Sequence, residues 1–253
     1  TNTDITKQKQ LEQLKDEFIG VVSHELKTPV TSLKGYTQLL KRWFLQASDE
    51  RTVTMLSKME AQVNKLTLLI EDLLEVTRIE SGKLQLRRSS FDFQSLIREM
   101  VEDIQRTSTT HTIEMDLSSP IMLTVDRERI GQVLTNLLTN AVKYSPLADR
   151  VVVKTREQQG MVITSVQDFG IGIPKEQQSH IFERFYRVEG EQRRTYPGLG
   201  LGLYIAAEFV KRHQGIIWLE SSEGKGTTFS FSLPIASSHP TGSQTGEQGG
   251  EPV

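Results

Sequence analysis

Ser23-His24-Glu25-Leu26-Lys27-Thr28-Pro29 is the run in this chain best equipped for covalent chemistry. The imidazole of His24 is a nucleophile that is mostly neutral near pH 7, because an unperturbed histidine has a pKa of about 6.5. Glu25 follows it directly and is close enough to act as a base or as an orienting carboxylate. The run lies inside a helical apolar periodicity, and at about 100° per residue His24 and Thr28, four apart, share one face. Pro29 has no N–H, so the carbonyl of Glu25 loses its helical partner and a bend is predicted there. A zinc-protease pattern is excluded, since position 28 is Thr and not a second His. On periodicity alone a solvated surface histidine would be the better reading of His24. The rest of the chain reverses those odds, because it carries further polar and glycine-rich patterns that could form a site.

The helical pattern at residues 126–144 is the clearest amphipath downstream. Stepping by about 100° per residue, Arg129, Gln132, Asn140 and Lys143 fall within about 40° of Asn136. Ile130, Val133, Leu134, Leu137, Leu138, Ala141 and Tyr144 take the opposite side. Two mid-helix asparagines are poor choices for a plain solvated face, where Glu, Lys or Gln would favour the helix. An amide oxygen is a neutral hard ligand suited to Mg²⁺, and Lys143 stands one turn away for a phosphate.

Three glycine clusters follow: Asp168-Phe169-Gly170-Ile171-Gly172-Ile173-Pro174, Gly198-Leu199-Gly200-Leu201-Gly202-Leu203, and Gly224-Lys225-Gly226-Thr227. The second is neither a Rossmann fingerprint nor a Walker loop, but it opens a helix, and a helix N-terminus next to crowded backbone N–H groups favours an anion. Asp168, directly after a strand, is a plain turn residue or, inside a pocket, an acceptor for an adenine amino group. Between the first two clusters lie Phe182-Glu183-Arg184-Phe185, Arg187 as a phosphate ligand candidate, and a polar stretch over residues 188–197 long enough to be a lid.

These groups need elements to hold them. Residues 5–46 carry an apolar seam of three-four spacing (Leu11, Leu14, Phe18, Val21, Val22, Leu33, Tyr36, Leu40, Phe44), and after Ala47-Ser48-Asp49-Glu50 a second seam runs from Val53 to Leu73. The pair predicts an antiparallel helical hairpin that cannot bury both flanks alone, hence a homodimeric four-helix bundle. Ser81-Gly82-Lys83 ends the second helix. Beyond it, strand patterns at 84–86, 112–117, 121–125, 151–155, 162–167, 216–220 and 227–233 interleave with helical patterns at 93–106, 126–144 and 200–213. The expected fold is α+β: the helical hairpin, then one mixed, largely antiparallel sheet with helices on one face. The domain boundaries predicted are 1–82, 83–236, and a disordered polar tail at 237–253.

Composition narrows the function. A formal net charge of -2 in 253 residues gives no basic footprint for nucleic acid. The absence of cysteine removes disulfides, thiolate metal sites and cysteine nucleophiles. No apolar run reaches a membrane span or a signal peptide, so no membrane contact is expected of this piece, and it is compatible with the cytoplasm. The chain opens at Thr1, not Met, which points to a piece of something longer.

In this order and spacing the segments resemble the transmitter region of two-component sensor histidine kinases, over nearly all of residues 4–235. Residues 23–29 are similar to the phosphoacceptor box and Asn136–Tyr144 to the asparagine box. Asp168–Pro174, Phe182–Phe185, Gly198–Leu203 and Gly224–Thr227 match the remaining nucleotide boxes. Asp4-Ile5-Thr6 is similar to the exit of a PAS sensor domain. The resemblance implies a dimeric bundle carrying a Bergerat-type ATP-binding domain. By that resemblance His24 takes the γ-phosphoryl group of ATP with Glu25 as base, and Thr28 positions water when the module dephosphorylates its response regulator. Asn140 ligates Mg²⁺ with Asn136 in support, and Lys143 and Arg187 hold phosphates. Asp168 reads adenine in a pocket shaped by Gly170 and Gly172, and Gly198, Gly200 and Gly202 hinge the lid. Tyr144, Ile173, Leu199, Leu201, Leu203 and Thr227 complete the nucleotide-binding set that the resemblance implies. The implied partners are a second copy and a response-regulator receiver domain, and the family leaves room for a membrane anchor elsewhere in a full-length protein.

Two positions depart from the family pattern: Leu199 where Thr is usual, and Phe169 where Asn is common. Two other classes compete. An ATP-driven clamp resembles the same pocket but carries a water-activating Glu where this chain has Asn136. A non-catalytic adaptor would bind nucleotide without transferring phosphate.

Overall fold

The computed structural model describes Lys27 and residues 30–45, 50–108, 110–188 and 199–235. His24, Glu25, Thr28, Gly198, the segment 189–198 and the tail from 236 lie outside the described residues. Helix α1 is described over residues 30–45, and α2 runs Glu50–Glu80. They pack as a hairpin, tied by Lys41 to Glu60 at 2.9 Å and by Lys27 to Glu71 at 3.6 Å. Helix α2 stops where Gly82 takes a φ of 68°, as the Ser81-Gly82 signal predicts, with the Gly82 N–H donating to the Ile79 carbonyl. Among the described residues no helix is long and apolar enough to cross a membrane.

The remainder is built on strands β1 (Arg88–Asp92), β2 (Thr112–Asp116), β3 (Met122–Asp126), β4 (Arg150–Gln158), β5 (Met161–Asp168), β6 (Ile216–Ser222) and β7 (Gly226–Pro234). Helices α3 (Phe93–Thr107), α4 (Arg127–Lys143) and α5 (Gly202–Arg212) interleave with them. The main sheet has the order β2-β4-β5-β7-β6, in which β2 and β4 are parallel and the other neighbours antiparallel. Its inner face, with Val151, Val153, Val162, Val166, Phe231 and Leu233, packs on the apolar stripes of the three helices, among them Phe93, Leu134, Leu137 and Phe209. At about 25 cal/mol per Å² of apolar surface removed from water, this continuous cluster supplies the main driving force for the domain.

Two details differ from expectation. The alternation Leu84-Gln85-Leu86 is not a strand: Leu84 turns into the core, but nothing pairs with it, and the strand begins at Arg88 instead. The partner decides this, because β1 lies antiparallel on β3, with Ser90 opposite Thr124. For the same reason the 121–125 pattern belongs to a separate two-stranded sheet, not to the main one.

Asp126 is the node that fixes the start of α4. Its Oδ1 accepts from the Arg129 N–H at 3.2 Å as the helix cap, and its Oδ2 accepts from the Arg87 N–H at 2.7 Å. Its own N–H donates to Nε2 of His213 at 3.0 Å, while His213 Nδ1 lies 2.7 Å from the Phe209 carbonyl. Nε2 must therefore be the acceptor, and His213 is neutral with its proton on Nδ1. The chain leaving α2, the start of α4 and the end of α5 thus meet on one carboxylate and one imidazole.

Candidate functional site

A cavity of about 210 Å³ opens between α4, the segment after β5, the residues leading into α5, and β7. From α4 it receives Asn136, Asn140 and Lys143, with Tyr144 just beyond, while Arg129 and Gln132 of the predicted polar stripe do not line it. The ammonium of Lys143 lies 4.8 Å from the centre of the Tyr144 ring. Asn136 is partly committed: its amide nitrogen donates to the Gly202 carbonyl at 3.1 Å, which pins the first turn of α5 to α4.

Asp168 ends β5 with its side chain inside the cavity. Oδ1 accepts two backbone N–H bonds, from Gly170 at 2.9 Å and Thr227 at 3.1 Å, which leaves Oδ2 for a ligand. Burial raises its pKa above the ordinary carboxylate value, and the two N–H bonds pull in the opposite direction. The close glycines around it are needed for space. A Cβ on Gly170 would collide with the Tyr144 carbonyl, and one on Gly226, where φ is 96°, would come within 2.8 Å of Phe169 Cα.

The rest of the predicted set divides clearly. Gly172, Ile173, Arg187 and Thr227 line the cavity, as do Leu199 and the run Gly200, Leu201, Gly202 and Leu203. Gly170 shapes the turn without lining the space. Helix α5 starts at Gly202, two residues later than the 200–213 pattern predicts. Of the two departures, Phe169 is not a cavity residue: its ring lies under the Arg150 guanidinium at 4.4 Å, on the far side of the sheet edge. Leu199 does line the cavity.

Sequence reasoning missed several walls. Ile171, Ile181, Tyr186, Val188 and Phe229 add apolar surface, and their proximity to recognised motifs was the available signal. The largest omission is Asp72, from α2, about two-thirds of a hundred residues before Asn136 in the chain and with no local mark to set it apart. Asp72 has no hydrogen-bond or ion-pair partner among the described residues. Burial, then the neighbouring Glu71 and Glu75 carboxylates, pushes its pKa up to about 6. Helix α2 is held in this place by Glu75 on Arg129 at 3.2 Å, by the ion pair of Glu80 with Arg184, and by Arg212 donating to the Ile79 carbonyl at 2.8 Å. Val76 and Ile79 complete the contact inside the apolar cluster.

Comparison with known proteins accords with this architecture. Residues 14–82 match the family described as "His Kinase A (phospho-acceptor) domain", and residues 125–237 match "Histidine kinase-, DNA gyrase B-, and HSP90-like ATPase". The chain is 35% identical over 236 residues to the sensor histidine kinase WalK of Bacillus subtilis (strain 168), covering 91% of this chain and 38% of that protein. It is 34% identical over 230 residues to the circadian input-output histidine kinase CikA of Thermosynechococcus vestitus, covering 89% of this chain and 32% of that one. The chain thus spans about a third of the length of these relatives. Among solved structures, full-length ShkA in complex with AMPPNP superposes with a TM-score of 0.71 at 26% identity, over 87% of this chain and 46% of that one. The Acinetobacter baumannii histidine kinase AdeS gives 0.58 at 25%, over 84% and 98%. With a phosphoacceptor segment preceding a nucleotide domain of this geometry, the chain belongs to the sensor histidine kinases of two-component systems, as their transmitter region.

Proposed function

We propose that the chain phosphorylates its own His24 from ATP, passes the phosphoryl group to an aspartate of a response-regulator receiver domain, and can dephosphorylate that regulator. One observation carries this reading. Lys27, three positions after His24 in the chain, is paired with Glu71, and the adjacent Asp72 lines the cavity that holds Asn140, Lys143 and Asp168. The level of the hairpin that follows His24 is therefore the level that faces the cavity.

In this reading Asp168 Oδ2 accepts the adenine amino group, and Tyr144, Ile173, Thr227 and the glycine turns at 170 and 172 shape the base site. Lys143 and Arg187 hold phosphates, and Gly198, Gly200 and Gly202 with the intervening leucines close over them. The neutral oxygen of Asn140, beside Asn136, suits a hard divalent cation, and Mg²⁺ held there would neutralise charge on the phosphates. A neutral nitrogen of His24 forms its bond to the γ-phosphorus as the bond to the β,γ-bridging oxygen breaks. ADP leaves, and Glu25 holds the proton on the other ring nitrogen. Catalysis of this kind is positioning plus charge neutralisation, which is what the chain's side chains offer. Transfer is favoured over hydrolysis because Asn136, bonded to the Gly202 carbonyl, stands where a clamp ATPase needs a water-activating carboxylate. For dephosphorylation of the regulator, Thr28 orients a water.

The division into a phosphotransfer hairpin at 1–82, a nucleotide domain at 83–236 and a polar tail at 237–253 follows from the same reading. Homodimerisation through the hairpin is supported by the exposure of Tyr36, 65%, and Met59, 50%, on the described helices, an apolar face that one copy leaves in water. The piece would work in the cytoplasm, with any anchor in the rest of a longer protein. Incubation with γ-labelled ATP tests the core of the proposal. The expected product is an acid-labile, base-stable label on the chain, absent in His24→Gln. Release of inorganic phosphate without labelling would make it a clamp, and binding without either would make it an adaptor.

A further inference from the structure

Asp72 belongs to the hairpin, yet it forms part of the wall of the nucleotide cavity. It has no local reason to be there. No cation pairs with it among the described residues, and its neighbours along α2 are Glu71 and Glu75, also acids. What brings it in is the docking of the end of α2 on the nucleotide domain. Three arginines of that domain grip this end: Arg129 on Glu75, Arg184 on Glu80 and Arg212 on the Ile79 carbonyl. The Glu75 side chain is 8% exposed, so this is a seated contact and not a surface brush.

The cavity has two carboxylates at different places. Asp168 is tied by Gly170 and Thr227 at the end of β5, while Asp72 comes from α2, one turn before Glu75, which pairs with Arg129 about two turns before Asn136 on α4. Asn140 and Lys143 continue the same stripe of α4. An uncompensated carboxylate on that side disfavours each further negative charge brought into the cavity, and in a partly desolvated site such a charge is weakly screened.

We propose that Asp72 is a specificity-determining residue of the nucleotide site: while α2 is docked, its carboxylate discriminates against the terminal phosphate, so the docked molecule favours ADP over ATP. This rests on the reading that the cavity binds adenine nucleotides with their phosphates toward Asn140 and Lys143. ATP carries one phosphate and about one unit of negative charge more than ADP, whereas adenosine carries none. A charge effect must therefore grow along the series adenosine, ADP, ATP. A merely structural effect would move all three alike.

The test is a set of equilibrium titrations of the whole chain with adenosine, ADP and ATP, with Mg²⁺ present and absent, for the parent protein and Asp72→Asn. Asn keeps the shape and removes the charge. Expected is a fall of about five- to tenfold in the ratio of the ATP to the ADP dissociation constant in the variant, with adenosine unchanged. Asp72→Ser, checked for a parent-like circular dichroism spectrum, should reproduce the shift if Asn alters packing. An unchanged ratio, or an equal change for all three ligands, overturns the proposal. Weaker ATP binding in the variant only with Mg²⁺ present overturns it too, by making Asp72 a metal ligand. If the parent binds none of the three, the nucleotide reading itself fails, which is a separate outcome.

Discussion

Glu75 and Arg129, 54 positions apart in the chain, form an ion pair at 3.2 Å in which the carboxylate is 8% and the guanidinium 18% exposed. Arg129 also lies over the Phe209 ring, 5.1 Å from its centre. The pair joins α2 to the first turn of α4, while the second carboxylate oxygen of Glu75 is buried without a hydrogen-bond partner. Without Arg129 the Glu75 carboxylate keeps only the exposed Arg78, 3.8 Å away, and breaking a buried pair costs up to about 3–5 kcal/mol.

Arg129→Leu is therefore expected to loosen the end of α2 from the nucleotide domain. Backbone amide exchange over residues 70–80 should accelerate by at least about tenfold, while exchange in β4 and β5 stays as in the parent. Unchanged protection in α2 would mean that Val76 and Ile79 hold the dock without the ion pair.

Asp168→Asn tests the base-reading role. The amide keeps the size and can still accept from Gly170 and Thr227, but presents N–H groups or a weaker oxygen to the ligand. A hydrogen bond to a charged group contributes about 1.5–3 kcal/mol, so binding of an ATP analogue should weaken by about 10- to 100-fold. Calorimetric titration of the folded variant measures it, and retained affinity would move the adenine elsewhere in the cavity.

Gly170→Ala should destabilise the nucleotide domain, because the new methyl meets the Tyr144 carbonyl and lies 2.8 Å from Ser145 Cα, both backbone atoms that cannot step aside. Overpacking of this kind costs about 1–3 kcal/mol. The midpoint of urea unfolding should fall accordingly, and a parent-like midpoint would show that the turn between β5 and Ile173 can relax.

His213 makes stability depend on pH. Burial lowers its pKa below the ordinary value, and the Phe209 hydrogen bond opposes that shift. Since the folded state disfavours the proton that the unfolded chain takes up near pH 6.5, the contribution is complete above that pH. It is lost as pH falls through 6.5 toward the lower folded value. Unfolding midpoints between pH 8 and pH 5 should decline in the parent, and decline less in His213→Gln.

The order of the boxes, the stripe Arg129-Gln132-Asn136-Asn140-Lys143 and the break at Gly82 were legible in the sequence, because helical periodicity and glycine's backbone freedom are local properties. Seven strand patterns could be seen, but Leu84-Gln85-Leu86 shows the limit. Alternation states which face a residue prefers, whereas a strand also needs a partner, and the partner of this region, Met122–Asp126, binds the next five residues instead. Asp168 was legible as a turn residue or a pocket acid, and only the family resemblance chose between them. The two N–H donors that aim it, one from a strand almost sixty residues on, were not. Asp72 was invisible for the same reason: on α2 it is one acid among several, and only the packing of Val76, Ile79 and Glu75 on the nucleotide domain turns it toward the cavity. The chain by itself determined which chemical groups this protein carries and on which elements they ride. Tertiary structure decided which of them share one space, because that depends on long-range burial and charge pairing that no local pattern encodes.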